Sequence, residues 1–289
     1  MTTLHVTLDE LAATPYGGLS RYAGELTRAL LATAPEGAEV VGMVPASPEP
    51  DYERIGALLP GLARLEKSVL AHRELSAAWR RGLGRPSRTG MLHATSLLAP
   101  LGAHDRVHQP GDQVAVTIHD AIAWTAPELL PSRTVSWQHA MAARAERFAD
   151  AVVVPSHAVA AELAEHLDLG DRIRVIPGAP SSGLIPPRGA GRRAAELGLP
   201  EQYLLTVAGT EPKKNLAALL DALPSRGSSC RSWSSPTMRM PSPSWQRRRG
   251  WPRGAWWRSA HSPTRTSGSS TCAPTPTCSR ARPKASGSR

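Results

Sequence analysis

The run Val116-Thr117-Ile118-His119-Asp120 places an imidazole and a carboxylate side by side at the C-terminal end of an apolar, β-branched segment. An imidazole there can hold or hand over a proton near neutral pH, and an adjacent carboxylate can fix its tautomer. In an open α/β sheet that edge is where ligands sit. The competing reading is a loop histidine packed against the sheet. A second candidate is Tyr16-Gly17-Gly18-Leu19-Ser20-Arg21-Tyr22, which follows the first apolar run and opens a helical pattern. Gly17 and Gly18 would let backbone amides approach a ligand, and a helix N-terminus favours anionic groups. The alternative is a tight turn that needs positive φ. A third is Gly209-Thr210-Glu211-Pro212-Lys213-Lys214-Asn215. Two lysines at the start of a helix could neutralise a diphosphate. The bland alternative is a solvated basic turn. Lysine there opposes the helix dipole, and a broken local rule points toward a functional site. No carboxylate pair is spaced for glycoside hydrolysis. No Cys/His cluster suggests a metal, and His93, His108, His139, His157 and His166 show no ligand spacing and read as structural or surface residues.

These segments need a scaffold. Short β-branched runs recur at Leu4–Leu8, Val40–Val44, Met91–Ala94, Val114–His119, Ala151–Pro155 and Arg174–Ile176. Between them lie helical patterns at Leu19–Ala34, Ser132–Phe148 and Ala158–Leu167, the first with Leu19, Tyr22, Leu26 and Leu30 on one face. Strands alternating with helices predict a parallel sheet covered on both faces. Ser156 is placed to cap the helix that follows it. Pro177–Pro187 is rich in Gly, Pro and Ser and reads as a linker. Beyond it, Tyr203–Gly209 predicts a new buried strand and Lys214–Leu223 a new helix, the opening of a second Rossmann-like domain. The expected organisation is an α/β domain over 1–180, a linker over 181–200, the start of a second domain over 201–223 and a tail over 224–289. The stretch Arg54–Arg88 sets Arg54, Arg64, Lys67, Arg73, Arg80, Arg81, Arg85 and Arg88 among leucines. It reads as a solvated helix face or as a basic amphipathic surface for anionic lipid.

Composition divides the chain sharply. Residues 223–289 contain no Asp or Glu, but hold 13 Arg or Lys, all three cysteines and five of the eight tryptophans. Residues 1–222 carry 21 basic against 24 acidic side chains, so the formal net charge of +10 arises wholly in the tail. Such a charge ordinarily suggests nucleic acid or a membrane surface. Arg-, Pro-, Ser- and Trp-rich runs are also what GC-rich DNA yields out of frame. Read from the third base of each codon, Pro283–Arg289 permits Glu-Gly-Phe-Gly-Leu-Pro. Pro263–Ser279 likewise permits an amphipathic helix followed by an apolar strand, so a one-base slip near codons 222–263 is expected. A tail of this composition is expected to be disordered. The first 222 residues have no cysteine for a disulfide, no apolar run near the roughly 18 residues of a membrane span and no signal-peptide pattern, so the cytoplasm is the default compartment.

Taken together, the motifs resemble the family 4 glycosyltransferases of the two-domain GT-B fold. The resemblance is carried by G-G-L-S-R-Y at 17–22, L-H-A-T at 92–95, V-T-I-H-D at 116–120 and A-P-E at 126–128. It continues through V-V-V-P-S-H-A-V-A-A-E-L at 152–163, R-V-I-P-G at 174–178 and G-T-E-P-K-K-N-L at 209–216. It implies transfer of a hexose from a nucleotide sugar, GDP- or UDP-linked, with retention at the anomeric carbon and no metal. The acceptor would be a saccharide or a lipid-linked group, bound mainly by the first domain on the side of Tyr16, Arg21 and Tyr22. Gly17, Gly18, Thr210, Lys213 and Lys214 would serve the donor phosphates; Thr210 stands where the family often has Arg, and Lys213 would substitute. His119, beside Asp120, would position the transferred sugar or donate a hydrogen bond to it. A lipid acceptor would bring the protein to the inner membrane face. The family's donor-binding glutamates belong to the segment that survives only in the alternative frame, so the polypeptide is expected to have little or no activity. Two other classes remain open: an Arg/Trp-rich arm for nucleic acid, which would bind without sequence specificity, and an acceptor-binding module without catalysis.

Overall fold

The computed structural model describes residues 2–12, 17–83, 90–105, 107–181, 184–199, 205–206 and 211–222, together with two short strands at 232–234 and 256–258. Two compact units divide at Ala179/Pro180.

In the first unit the elements run β1 (Thr2–Thr7), α1 (Asp9–Ala12), α2 (Gly18–Thr33), β2 (Ala38–Ala46), α3 (Glu49–Leu58), β3 (Arg64–Ala71), α4 (His72–Arg80) and β4 (Met91–Ala94). They continue with β5 (Val114–Thr117), α5 (Ile122–Thr125), α6 (Ser132–Phe148), β6 (Ala151–Val154), α7 (His157–Ala164) and β7 (Ile173–Val175). The strands form one sheet in the order β3-β2-β1-β4-β5-β6-β7, and every pairing is parallel. The β-branched runs behave as a sheet buried on both faces requires: Val40, Val41 and Val44 of β2 and Val152, Val153 and Val154 of β6 are all buried. One apolar cluster gathers β1 and β2 with α1 and α3 around Val6, Leu8, Val44 and Ile55. A second gathers β4, β5 and β6 with α4 and α6 around Leu92, Val116, Met141 and Val154. Helix α6 has the expected bounds, with Met141, Ala142 and Ala145 buried at helical spacing. The Ser156 hydroxyl accepts the Val159 N–H at 3.2 Å and caps α7 as expected.

Three expectations are corrected. The stretch Arg54–Arg88 is not one helical face: it spans the end of α3, all of β3 and α4. Its cations on the sheet edge are paired, Arg64 with Glu39 and Glu66 and Lys67 with Glu49, because β3 is an edge strand and carries charge outward. The face that α2 buries is Ser20, Ala23, Gly24 and Thr27, whereas Leu19 is exposed. Small side chains let this helix lie close, and Leu30 and Leu31 only reach the core margin. The expected linker over 181–200 contains a helix, α8 (Ala190–Glu196).

In the second unit, α9 (Leu216–Ala222) follows a 3₁₀ turn at Pro212–Lys214, so the helix starts two residues later than predicted. Of the expected strand Tyr203–Gly209, only Leu205 and Thr206 are described, and neither is in a strand. In the tail, β8 (Ser232–Ser234) and β9 (Trp256–Arg258) pair in parallel; the expectation of disorder otherwise falls outside the described residues. Among the described residues no helix is long and apolar enough to cross a membrane.

Candidate functional site

The order of strands reverses between β1 and β4, which opens a crevice at their C-terminal ends. Two threonines bind those ends together. The Thr95 N–H donates to Thr7 Oγ1 at 3.0 Å, and the Thr95 hydroxyl donates to the Thr7 carbonyl at 2.8 Å. Both residues are buried. The Thr95 carbonyl in turn accepts from His119 Nε2 at 2.8 Å. A carbonyl only accepts, so Nε2 carries the proton and Nδ1 presents its lone pair. Among the described residues, nothing hydrogen-bonds to that Nδ1.

Helix α2 supplies the third support. The Tyr22 ring meets His119 edge-on, with centroids 4.7 Å apart and planes at 87°. The Tyr22 hydroxyl lies 3.2 Å from Thr117 Oγ1, which also lies 3.0 Å from His93 Nε2. Burial holds His119 below its ordinary pKa, against the opposing pull of the Thr95 carbonyl and the Asp120 charge. Burial alone pushes His93 down to about 4. It pushes the Tyr22 phenol up, partly offset by the bond to Thr117. At neutral pH the corner is therefore a hydrogen-bonded set of uncharged rings.

Asp120 behaves differently from the sequence expectation for its tautomer role. Its Oδ1 accepts the Ile122 N–H at 3.2 Å and so organises the entry to α5. The Thr95 main chain fixes the His119 tautomer, and Asp120 acts on the ring only through charge.

The glycine pair is not a strained turn. Gly17 is extended, at φ −122°, and Gly18 is the first residue of α2. A Cβ at either would meet nothing within 4 Å, so neither packing nor backbone conformation demands glycine there. The Gly17 N–H donates to Ser20 Oγ at 3.3 Å, and the Ser20 hydroxyl donates to the Glu10 carbonyl at 2.6 Å, which ties the start of α2 to α1. The result is an open, positive helix end at the sheet edge. Arg21 is exposed beside it. Tyr16 lies outside the described residues.

In the second unit Lys213 and Lys214 are exposed on the 3₁₀ turn, ahead of α9, and Asn215 follows at φ +46°. Thr210 lies outside the described residues. Among the described residues no group of three or more His, Cys, Asp or Glu could hold a metal ion.

The structure thus brings Tyr22 and His119 into contact and adds Thr7, Thr95, Thr117 and His93. Motif reading gave the three threonines no individual role and read His93 as a structural or surface residue. His93 and Thr95 stand in the Leu92-His93-Ala94-Thr95 segment, and that was the available signal.

The family model described as Glycosyltransferase Family 4 matches residues 16–179. No curated protein matches the chain. Among solved structures, HepE from Anabaena in complex with UDP superposes at a TM-score of 0.51 with 14% identity, covering 81% of this chain and 60% of HepE. The HepE complex with UDP and glucose gives 0.53 and 13%, over 81% and 61%. The complex with UDP-glucose gives 0.54 and 13%, over 81% and 60%. At these identities the likeness is one of fold, and the chain spans about three-fifths of the length of HepE. The family match covers more than half of the chain, includes Gly17, Gly18, Tyr22, Thr95 and His119, and makes the chain a member of glycosyltransferase family 4.

Proposed function

We propose that the site transfers a hexose, of the mannose or glucose type, from a UDP- or GDP-sugar to a saccharide or lipid-linked acceptor, with retention and without a metal. In that reaction the bond from the anomeric carbon to the diphosphate oxygen breaks. A bond to the acceptor oxygen forms, and the acceptor proton leaves with the departing nucleotide. Negative charge grows on the leaving diphosphate, where fixed cations and helix amides stabilise the transition state. That role is assigned in the first unit to the α2 N-terminus at Gly17 and Gly18, and in the second to Thr210, Lys213 and Lys214. His119 positions the sugar. Because its Nε2–H is held by Thr95, it does so by accepting a sugar hydroxyl at Nδ1. Asp120 shapes the loop that carries it, and Tyr16, Arg21 and Tyr22 border the acceptor. The observation that carries this reading is the His119 ring, held by Thr95 and Tyr22, with no hydrogen bond to Nδ1 among the described residues. The UDP and UDP-glucose complexes of HepE support a nucleotide-sugar donor for a chain of this fold.

We further propose that residues beyond about 222 are read out of frame, on the absence of any Asp or Glu over 223–289. The proposed divisions are 1–180, a connecting segment over 181–200 that carries α8, and 201–223, and the proposed site of action is the cytoplasm or the inner membrane face. Purified polypeptide 1–289, incubated with UDP-glucose or GDP-mannose and candidate acceptors, is expected to transfer no sugar. The gene with its frame restored is expected to do so. Turnover by 1–289 would refute the frame reading, and a restored protein without sugar-nucleotide turnover would refute the transferase.

A further inference from the structure

One hydroxyl joins two strands of the sheet to the helix that walls the site. Thr117 closes β5 and is buried. His93 of β4 stands in register with Ala115 of β5. Side chains alternate along a strand, so His93 and Thr117 face the same side of the sheet. Tyr22 reaches that side from α2. The Thr117 hydroxyl lies 3.2 Å from the Tyr22 hydroxyl and 3.0 Å from His93 Nε2. Among the described residues, neither the phenol nor the Thr117 hydroxyl has another hydrogen-bond partner.

A hydroxyl carries a single proton and can also accept. If His93 Nε2 carries a proton, Thr117 accepts it and passes its own to the Tyr22 oxygen, which leaves the phenol proton for a ligand. If Nε2 presents its lone pair, Tyr22 donates to Thr117 and Thr117 donates to His93. Either arrangement ties the phenol to the sheet through the same atom. The edge-on contact of the Tyr22 ring with His119 tolerates sliding, so it does not fix the phenol by itself. Burial keeps both ends of the chain uncharged at neutral pH, His93 by lowering its pKa and Tyr22 by raising it.

We propose that Thr117 is a positioning residue of the site and His93 its anchor, and that together they hold the Tyr22 ring against the edge of His119. Held there, the ring keeps water from one side of the imidazole. The imidazole then stays neutral, with Nε2–H on the Thr95 carbonyl and Nδ1 open to a hydroxyl. The groups that act on His119 are the Tyr22 ring, the Thr95 carbonyl and the Asp120 charge. Neither Thr117 nor His93 hydrogen-bonds to it, so their influence passes through Tyr22. The use of this tether in sugar transfer rests on the transferase reading; the tether itself does not.

The test follows the His119 ring by NMR in the full chain with labelled histidine, the signal being assigned by its loss in His119→Ala. Thr117→Val keeps the side-chain shape and removes the hydroxyl, whereas Thr117→Ser keeps the hydroxyl. In Thr117→Val the His119 titration midpoint is expected to rise toward the ordinary histidine value, and the Overhauser contact between the Tyr22 and His119 rings to weaken. Thr117→Ser should match the parent chain. Tyr22→Phe cuts the same bond from the helix side and should give the same rise, with no further rise in the double variant. It decides the matter alone if Thr117→Val does not fold. His93→Leu should give a smaller rise, since Thr117 still reaches Tyr22. A loss of stability alone leaves the midpoint in place. An unmoved midpoint in Thr117→Val, Tyr22→Phe or His93→Leu would overturn the proposal, as would a rise in Thr117→Ser or rises that add in the double variant. In the frame-restored protein, Thr117→Val should also lower kcat by about tenfold and Thr117→Ser should not. Full kcat in Thr117→Val overturns the proposal and leaves the transferase standing. A frame-restored parent that transfers no sugar sinks the transferase and leaves the tether to the titration.

Discussion

At the His119 corner of the sheet edge, the polar groups that hold the ring are matched: Thr7 to Thr95, Thr95 to His119, Tyr22 and His93 to Thr117. At the Asp9 corner, on the other side of β1, a buried carboxylate pairs with the half-exposed His72 at 3.5 Å, and both His72 and Glu10 are shifted from their ordinary values. The same sheet supports both. The difference teaches that one corner is held by short hydrogen bonds among uncharged groups, which fix a ring, while the other is held by a longer pairing between a buried carboxylate and a half-exposed imidazole. The first should be sensitive in stability to loss of its bonds, and the second to the protonation of His72 and Glu10.

The largest effect is expected at His119 itself. In the frame-restored protein, His119→Ala should lower kcat by about 100-fold, the scale for loss of one preorganised polar group. Its melting temperature should fall as well, because the Thr95 carbonyl loses a donor and Tyr22 its ring contact; a variant with unchanged kcat would remove His119 from the reaction. Next, Thr95→Val deletes the buried hydroxyl that donates to Thr7 and should cost about 1–3 kcal/mol in urea unfolding. Asp9→Asn, which removes only the partner of the half-exposed His72, should cost less than that at neutral pH. Equal losses in the two variants would erase the distinction between the corners.

The pH dependence of stability should have opposite signs at the two corners. His93 falls to about 4 in the folded chain against a usual 6.5. Between those values the unfolded chain binds the extra proton, so this corner gains stability as pH rises from 4 to 6.5. Glu10 rises to about 7 from 4.5. There the folded chain binds the extra proton, so stability falls as pH rises from 4.5 to 7. His72 is raised by its bond to Asp9, against its burial, and likewise contributes stability that is lost as pH rises through its folded pKa. Each of the two large shifts is worth on the order of 1–3 kcal/mol once solvent is allowed for. Glu10→Gln should therefore remove the falling limb of a stability–pH curve, and His93→Gln the rising one. Matching curves in both variants would show that neither group is coupled to folding. The smallest effect belongs to a reference site away from both corners: Ser156→Ala should cost about 1 kcal/mol through loss of the α7 cap.

The alternation of β-branched runs with helical patterns was enough to read a parallel sheet, and α6 has its expected limits because its apolar spacing is unbroken. Strand β3 was not legible. Arg64-Leu65-Glu66-Lys67-Ser68-Val69 is charged as an edge strand must be, with Val69 94% exposed, and it carries no clean alternation. The buried face of α2 was misread because Ser20, Ala23 and Thr27 are not apolar markers, although their size sets the helix spacing. His119 was visible as a strand-end residue. Its support was not, since Thr95 is 24 residues away and Thr7 a further 88 from Thr95, distances that only the sheet order closes. Asp9 carried no motif, and its burial beside His72 is a property of the packed state alone.

The bond that holds His119 runs to the main chain of residue 95 and not to its side chain. The imidazole's choice of proton is therefore insulated from sequence drift at that position. A lineage can exchange the residue at 95, loosen or tighten the join between β1 and β4, and still inherit the same ring chemistry, so robustness at this edge is stored in the backbone.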